Sequence, residues 1–130
     1  MKRKIPLFIL SFSFILLALA IVIYNYTYKN HRDIKTEEVE FSLTSEEILN
    51  EFSINPTQSE KKYLNKTIEV TGTISEKTPT TITLDHIVFC QFSNEIKTVV
   101  ENNSLLKIKG RFIGFDDLLS EIKLDQCFVK

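Results

Sequence analysis

The chain has few residues of the kinds that usually form a catalytic or metal centre. Its 130 residues include three glycines, two cysteines, two histidines and no tryptophan. No glycine-rich phosphate loop occurs, and no serine or cysteine lies in a nucleophile-elbow context. We therefore predict that the protein is not an enzyme and that it uses no cofactor and no metal.

The cysteines and histidines are too isolated in sequence to predict a zinc site. His31 and His86 have no Cys or His at ligand spacing, and Cys90 and Cys127 are 37 positions apart. The two cysteines form either one disulfide or two buried thiols. Asp116-Asp117 could hold a cation, but no calcium-loop pattern surrounds it, so we expect a solvated turn there.

A long uncharged run follows the basic residues 2–4 at the start of the chain. It extends from Ile5 to Tyr24, and a helix that spans a bilayer needs roughly 20 apolar residues. A cleaved signal is the alternative, with Ala18-Leu19-Ala20 as its processing site. The run continues beyond those small residues and ends in alternating tyrosines, which are typical of a membrane interface. We predict an uncleaved anchor over residues 1–28.

The charges on either side of this run predict its orientation. The basic residues 2–4 favour a cytoplasmic amino terminus, while Lys29, Arg32 and Lys35 weaken that bias. We expect the rest of the chain to be extracytoplasmic, in a bacterial envelope. No cysteine follows the run closely, so an amino-terminal lipid has no acceptor there.

The remaining part of the chain is acidic and long enough for one small domain. Residues 1–32 hold five basic and no acidic residues, so the other 98 carry 16 − 5 = 11 basic against 17 acidic residues, a net charge of −6. Such a domain repels phosphate backbones. Nucleic acid is thus a disfavoured partner.

The first half of the exported part is polar and then helical. Residues 29–43 read as a juxtamembrane linker. Thr44 to Glu47 fits a capping box, and Ile48, Leu49 and Phe52 follow at helical spacing. Asn55-Pro56 ends this helix, and a second short helix is predicted over 58–64. Residues 44–64 are therefore expected to form a helical cap.

From Thr67 the hydrophobic period changes to two, which indicates strands. We predict five strands, a short helix within 94–103 between the third and fourth, and a bulge near Asp125-Gln126 in the fifth. The strands are expected at residues 67–74, 81–84, 87–92, 106–112 and 121–129, with turns at Glu76–Pro79, Asp85-His86 and Gly114–Asp117.

This order of elements is that of an OB-fold barrel. The fold class is mainly β with α (α+β): a five-stranded OB-fold-like barrel over 44–130 with a helical amino-terminal cap, preceded by one transmembrane helix. In that barrel the third and fifth strands are neighbours, which would bring Cys90 close to Cys127. Gly72 and Gly110 lie inside strands, where glycine marks a sharp bend.

Four segments carry a resemblance to a known family. They are residues 62–72, 88–92, 108–110 and 124–127. Together they resemble the tRNA_anti-like family of OB-fold proteins, which are short exported or membrane-anchored bacterial proteins. The resemblance covers roughly residues 44–130 and implies the fold. It implies no catalytic residues, and the family name does not mean that this acidic domain binds tRNA.

OB folds usually bind ligands on the face of their second and third strands, beside two loops. Here those loops are Glu76–Pro79 and Gly114–Leu119, and the candidate ligand-binding residues are Thr81, Thr83, Phe89, Gln91 and Phe115. Phe89 and Phe115 would be exposed rings for a sugar or a peptide. Alternatively, the helical cap covers this face and buries both rings.

Three functions remain open at this point. The first is a binding or adaptor module for another envelope protein. The second is a module for a small ligand or a saccharide, and the least favoured is nucleic-acid binding, which should be strongest at low salt.

Overall fold

The computed structural model describes residues 6–28 and 33–130, and these fall into two units. The first contains helix α1 (Leu7–Thr27) of 21 residues, in which an 18-residue stretch has a mean hydropathy of 2.8 and the side chains are exposed throughout. At 1.5 Å per residue it is about 31 Å long, enough to span a membrane. The basic residues 2–4, Lys29 and Arg32 lie outside the described residues.

The second unit, residues 33–130, is a closed mixed barrel of five strands with a sixth strand beside it. The elements are β1 (Phe41–Thr44), α2 (Ser45–Ile54), α3 (Pro56–Tyr63), β2 (Thr67–Lys77), β3 (Thr81–Leu84), β4 (Val88–Gln91), β5 (Leu105–Asp116) and β6 (Glu121–Val129). Strands β2, β3, β4, β6 and β5 form the ring, which closes through β2 and β5. β4 and β6 are parallel, and the other ring pairs are antiparallel. The predicted fold class is confirmed.

The helical cap forms as its sequence predicts. The Thr44 hydroxyl accepts from the Glu47 N–H at 3.2 Å, and the Glu47 carboxylate accepts from the Thr44 N–H at 2.7 Å. The Asn55 side chain accepts from the Gln58 N–H, and Pro56 occupies the first helical position. The second helix therefore starts two residues earlier than predicted.

Aromatic side chains join the cap to one end of the barrel. The ring of Phe52 on α2 lies 5.4 Å from that of Phe112 and 4.8 Å from that of Phe115, centre to centre. Tyr63 on α3 is fully buried, and its ring lies 6.1 Å from that of Phe112. Such aromatic contacts add to the burial of their apolar area.

The segment predicted as a linker is partly folded onto the barrel. The Glu40 N–H donates to the Thr67 carbonyl, β1 pairs in parallel with β2, and Ile34 is buried. The buried ammonium of Lys109 donates to the backbone carbonyls of Lys35 and Glu37. The local sequence did not predict this because the segment is held by contacts with distant strands. Residues 29–32 of the predicted linker lie outside the described residues.

Three further predictions differ from the structure. β2 continues to Lys77, so the turn predicted at Glu76–Pro79 lies at residues 78–80. Residues 94–103 contain no helix. They are held by distant bonds instead: the Ile96 N–H donates to the Pro79 carbonyl, and Lys77 donates to the Val100 carbonyl. β5 continues to Asp116, so the turn lies at residues 117–120 and not at Gly114–Asp117. Pairing with β6 keeps Gly114 and Phe115 in the strand.

The predicted bulge in β6 is present. Lys109 pairs with Phe128 and Arg111 pairs with Asp125, so β6 has one residue more than β5 between these pairs. Gln126 takes up the extra length with a φ of 49°. Opposite the bulge, a Cβ on Gly110 would lie 2.7 Å from the Cys127 sulfur. Glycine is required there by close approach, since its own φ is not positive.

Candidate ligand-binding groove

The structure brings four of the five predicted ligand-binding residues together on the β3–β4 hairpin. Thr81 pairs with Gln91, and Thr83 pairs with Phe89. Asp85 and His86 form the tight turn between the two strands, both with positive φ. Gln91 is exposed and Phe89 is half-buried, whereas Thr83 is only 7% exposed. This face therefore offers a small surface with one partly accessible ring.

Phe115 does not join that surface. It pairs with Ile122 of β6, and Ile122 pairs with Val88 of β4. Both partners are fully buried, so this row of residues faces the barrel interior. Phe115 is half-buried under the cap and contacts Phe52. The helical cap covers the Phe115 ring, as in the alternative stated above. The expected pair of exposed rings, Phe89 and Phe115, therefore does not form.

A larger concave surface lies where β4 and β6 separate. We call it the lysine groove; it has a volume of about 730 Å³. Phe92, Ile96 and Phe128 provide its apolar walls, with the buried Cys127 beside them. The groove is lined by Lys35, residues 92–98, Lys109 and residues 127–130.

The charge of the lysine groove is opposite to that of the domain. Its lining includes four lysines and one acidic residue, Glu95, a difference of 4 − 1 = +3, whereas residues 33–130 carry −6 in total. The Lys109 ammonium already donates hydrogen bonds to two backbone carbonyls, and the Lys130 ammonium forms an ion pair with Glu69 at 2.7 Å. Within residues 33–130, exposed Lys97 forms no ion pair. A negatively charged ligand is therefore favoured at this surface.

Lys35 contributes a second accessible charge at the edge of the groove. It is exposed, and its ammonium lies 6.0 Å from the centre of the Phe128 ring. This is the outer limit of a cation–π contact, so the charge remains available to a ligand. Lys35 reaches the groove because Lys109 binds the backbone carbonyl of the same residue.

The two cysteines lie side by side at the end of the groove, both buried and both as free thiols. Burial, and then the hydrogen bond and charge of Cys90, raise the pKa of Cys127 well above its ordinary value. This neighbourhood follows from the pairing of β4 with β6. The proximity expected from the barrel order is thus observed, and the disulfide stays a prediction.

Asp116, a candidate cation ligand in the sequence, has its hydrogen-bond partners within its own turn. The Asp116 carboxylate accepts from the N–H groups of Leu118 and Leu119 at 3.0 and 3.1 Å and lies 3.6 Å from the Lys123 ammonium. These backbone bonds close the β5–β6 turn, and they also lower the pKa of Asp116. In the described ranges 6–28 and 33–130, no three His, Cys, Asp or Glu side chains are grouped as metal ligands.

The lysine groove was missed by sequence reasoning. Its charged residues come from position 35, from the β4–β5 loop and from the two last strands, so no local pattern marks them. The available signal was the predicted adjacency of the third and fifth barrel strands, combined with lysines near their ends. The expected helix at 94–103 obscured it, because a helix there would have closed this side of the barrel.

Comparison with known proteins agrees with this architecture. The family model described as tRNA_anti-like matches residues 1–122, and the chain therefore belongs to the tRNA_anti-like family. No curated protein matches the chain.

A solved structure shares the fold. It is described as "putative nucleic acid-binding lipoprotein from Klebsiella pneumoniae subsp. pneumoniae MGH 78578" and superposes with a TM-score of 0.53 at 16% identity. The match covers 68% of this chain and 90% of that chain. At this identity the likeness shows the fold alone.

Proposed function

We propose that this protein is a membrane-anchored, extracytoplasmic binding module that acts as an adaptor for another envelope protein. The observation that carries the proposal is the lysine groove, a concave surface with an apolar wall and a charge opposite to that of its domain. The family and the OB barrel support a binding role. Helix α1, with its length and hydropathy, supports anchoring.

The anchor in this proposal is the helix and not a lipid. The only cysteines of the sequence are Cys90 and Cys127, and both are buried in the barrel. Neither is placed to accept an acyl chain close to the apolar run. A bacterial envelope is the proposed location, with the amino terminus in the cytoplasm.

Nucleic acid is not the proposed ligand, although the similar solved structure is described as nucleic acid-binding. A net charge of −6 on residues 33–130 opposes the approach of a polyanion. Binding of single-stranded RNA or DNA to the full chain at low salt, lost as salt rises, would contradict this part of the proposal.

A small-ligand or saccharide role is the second candidate, favoured by the half-buried Phe89 beside the exposed Gln91. It predicts chemical-shift changes at Phe89 and Thr81 when a panel of sugars is titrated. It predicts none at Phe115, which lies under the cap. The small-ligand role would be contradicted if no sugar in the panel changed these chemical shifts.

In-cell crosslinking of the full-length chain, followed by purification and mass spectrometry, tests the adaptor role. We expect one recurrent envelope protein in an amount comparable to the bait. The absence of any partner above background would contradict the adaptor role and favour the small-ligand role. A hydrolase or transferase activity abolished by a single polar substitution would contradict the non-enzymatic role.

A further inference from the structure

The carboxyl-terminal half of β6 has one unpaired edge. β4 pairs with β6 only from Val88 with Ile122 to Cys90 with Leu124. Beyond Leu124 the only strand of residues 33–130 that pairs with β6 is β5, on its other side. The lysine groove lies along this unpaired edge, beyond the point where the pairing of β6 with β4 ends.

The hydrogen-bond pattern shows which backbone groups face the groove. Val129 lies opposite Ile108, and the Lys130 N–H donates to the Lys107 carbonyl at 2.9 Å. In an antiparallel pair, that bond makes Val129 and Ile108 a non-hydrogen-bonded pair. The N–H and the carbonyl of Val129 therefore point away from β5, toward the groove.

From these observations we infer that the lysine groove binds an extended acidic segment of a partner protein, which pairs with the free edge of β6. The inference rests on the proposed adaptor function and names the chemistry of its partner. A bound strand would pair with the N–H and carbonyl of Val129, as in other cases of strand addition. Its acidic side chains would meet Lys97 and Lys35.

A polypeptide fits this site better than an inorganic anion or a lipid headgroup. The Val129 edge presents one donor and one acceptor, and a peptide backbone offers the complementary acceptor and donor at the spacing of a strand. The rings of Phe92 and Phe128 can accept apolar side chains between the acidic ones, since neighbouring residues of a strand point to opposite faces.

The first test uses a defined peptide and the full-length chain in neutral-detergent micelles. The probe is a capped hexapeptide of alternating glutamate and valine, and the control peptide has lysine in place of glutamate. We expect the acidic peptide alone to bind, with an affinity that falls as salt is raised. Equal binding of both peptides, or of neither, would overturn the inference.

Substitutions at Val129 test the backbone pairing itself. Val129→Pro removes the N–H that faces the groove without removing a bond to β5, and Val129→Ala keeps that N–H. We expect Val129→Pro to weaken peptide binding about fivefold relative to Val129→Ala, the loss typical of one hydrogen bond. Equal binding by the two variants, with circular dichroism showing that both are folded, would refute strand pairing.

Charge reversal at Lys97 provides a test that does not alter a strand. Lys97→Glu should weaken binding of the acidic peptide roughly fivefold, as expected for one solvated ion pair. Lys61→Glu is the matched control, because Lys61 is also exposed but lies on α3, outside the groove lining. Equal losses in both variants would show only a general charge effect and would contradict the site.

Competition on the unmodified protein separates phosphate and lipid from peptide. Inorganic phosphate, or phosphatidylglycerol added to the detergent micelles, is offered with the hexapeptide at constant ionic strength. If the groove binds peptides, neither probe competes with the hexapeptide. Full competition by phosphate or by phosphatidylglycerol would replace the peptide assignment with a simple anion or membrane site.

The crosslinking experiment distinguishes failure of this inference from failure of the adaptor role. A partner recovered equally by Lys97→Glu, Val129→Pro and unmodified protein would leave the adaptor role intact and reject the groove as its site. Specific peptide binding without any recovered partner would support the groove and reject the adaptor role.

Discussion

Single residues at the β5–β6 bulge are constrained by close contacts. A Cβ on Gly110 would lie 2.7 Å from the Cys127 sulfur and 3.2 Å from the Asp125 carbonyl. We expect Gly110→Ala to lower the free energy of unfolding by about 1–3 kcal/mol, the usual cost of overpacking. Gly114→Ala is the control, since its Cβ would meet nothing within 4 Å. Urea denaturation of the full chain should separate the two, and equal stabilities would contradict the contact.

Protonation of the Glu69 carboxylate makes the stability of the barrel depend on pH. Its side chain, 8% exposed, accepts from Lys130 at 2.7 Å and lies 3.3 Å from Lys107. The bond from Lys130 is the main reason that the pKa of Glu69 is lowered from 4.5. A lowered pKa in the folded state means that this stabilisation is complete above pH 4.5 and is lost as the pH falls through the folded-state pKa.

Glu69→Gln should therefore be less stable than the unmodified protein at pH 7, and the difference should shrink under acid. Thermal melts of both proteins at pH 7 and at pH 3 measure this difference. A gap in melting temperature that stays constant between the two pH values would show that the carboxylate charge does not contribute.

The cysteine pair makes a separate prediction at this scale. If Cys90 and Cys127 form a disulfide in the oxidising envelope, neither thiol reacts with a maleimide after denaturation without reductant. Removing the bridge should then cost about 2–4 kcal/mol. Full labelling of the denatured, unreduced protein would show two free thiols instead.

At the scale of the element, the capping box of α2 determines where the cap begins. Thr44→Ala removes the hydroxyl that accepts from the Glu47 N–H, and we expect a loss of about 1 kcal/mol. Ser53→Ala on the same helix is the control: its hydroxyl bonds the Leu49 carbonyl, which is already part of the helix. A chemical denaturation series measures both, and a smaller loss for Thr44→Ala than for Ser53→Ala would contradict this role of the cap.

The elements also show which parts of the fold were predictable. α2, α3 and β6 have local signals: a capping box, an Asn-Pro break and an alternating pattern. β1 has only four residues and depends on β2, and residues 94–103 depend on bonds to β2 and its following loop. The helical spacing of Ile96, Val99 and Val100 therefore predicted a helix that distant contacts prevent.

The candidate site was less predictable than the fold for the same reason. Alternation correctly placed Thr81, Thr83, Phe89 and Gln91 on one face of a hairpin. It could not place Phe115, because the register shift between Phe112 and Gly114 changes the face of every residue that follows. The lysine groove requires the separation of β4 and β6, which no local pattern encodes.

At the scale of the whole molecule, the orientation in the membrane is open to a direct test. We expect alkaline phosphatase fused after Lys130 to be active and a green fluorescent protein in the same position to be dark, because the domain is proposed to be outside the cytoplasm. Fluorescence with inactive phosphatase would reverse the proposed topology. Residues 2–4 are the basic cluster on which this orientation depends.

The bond from Lys109 to the carbonyls of Lys35 and Glu37 determines where a soluble form of the domain can begin. A protease cut or a cloned boundary at position 44 would remove both acceptors and expose the Lys109 ammonium to water. It would also remove Ile34 and β1. We therefore expect a separate domain to need the chain from Asp33 onward in order to keep the stability of the intact barrel.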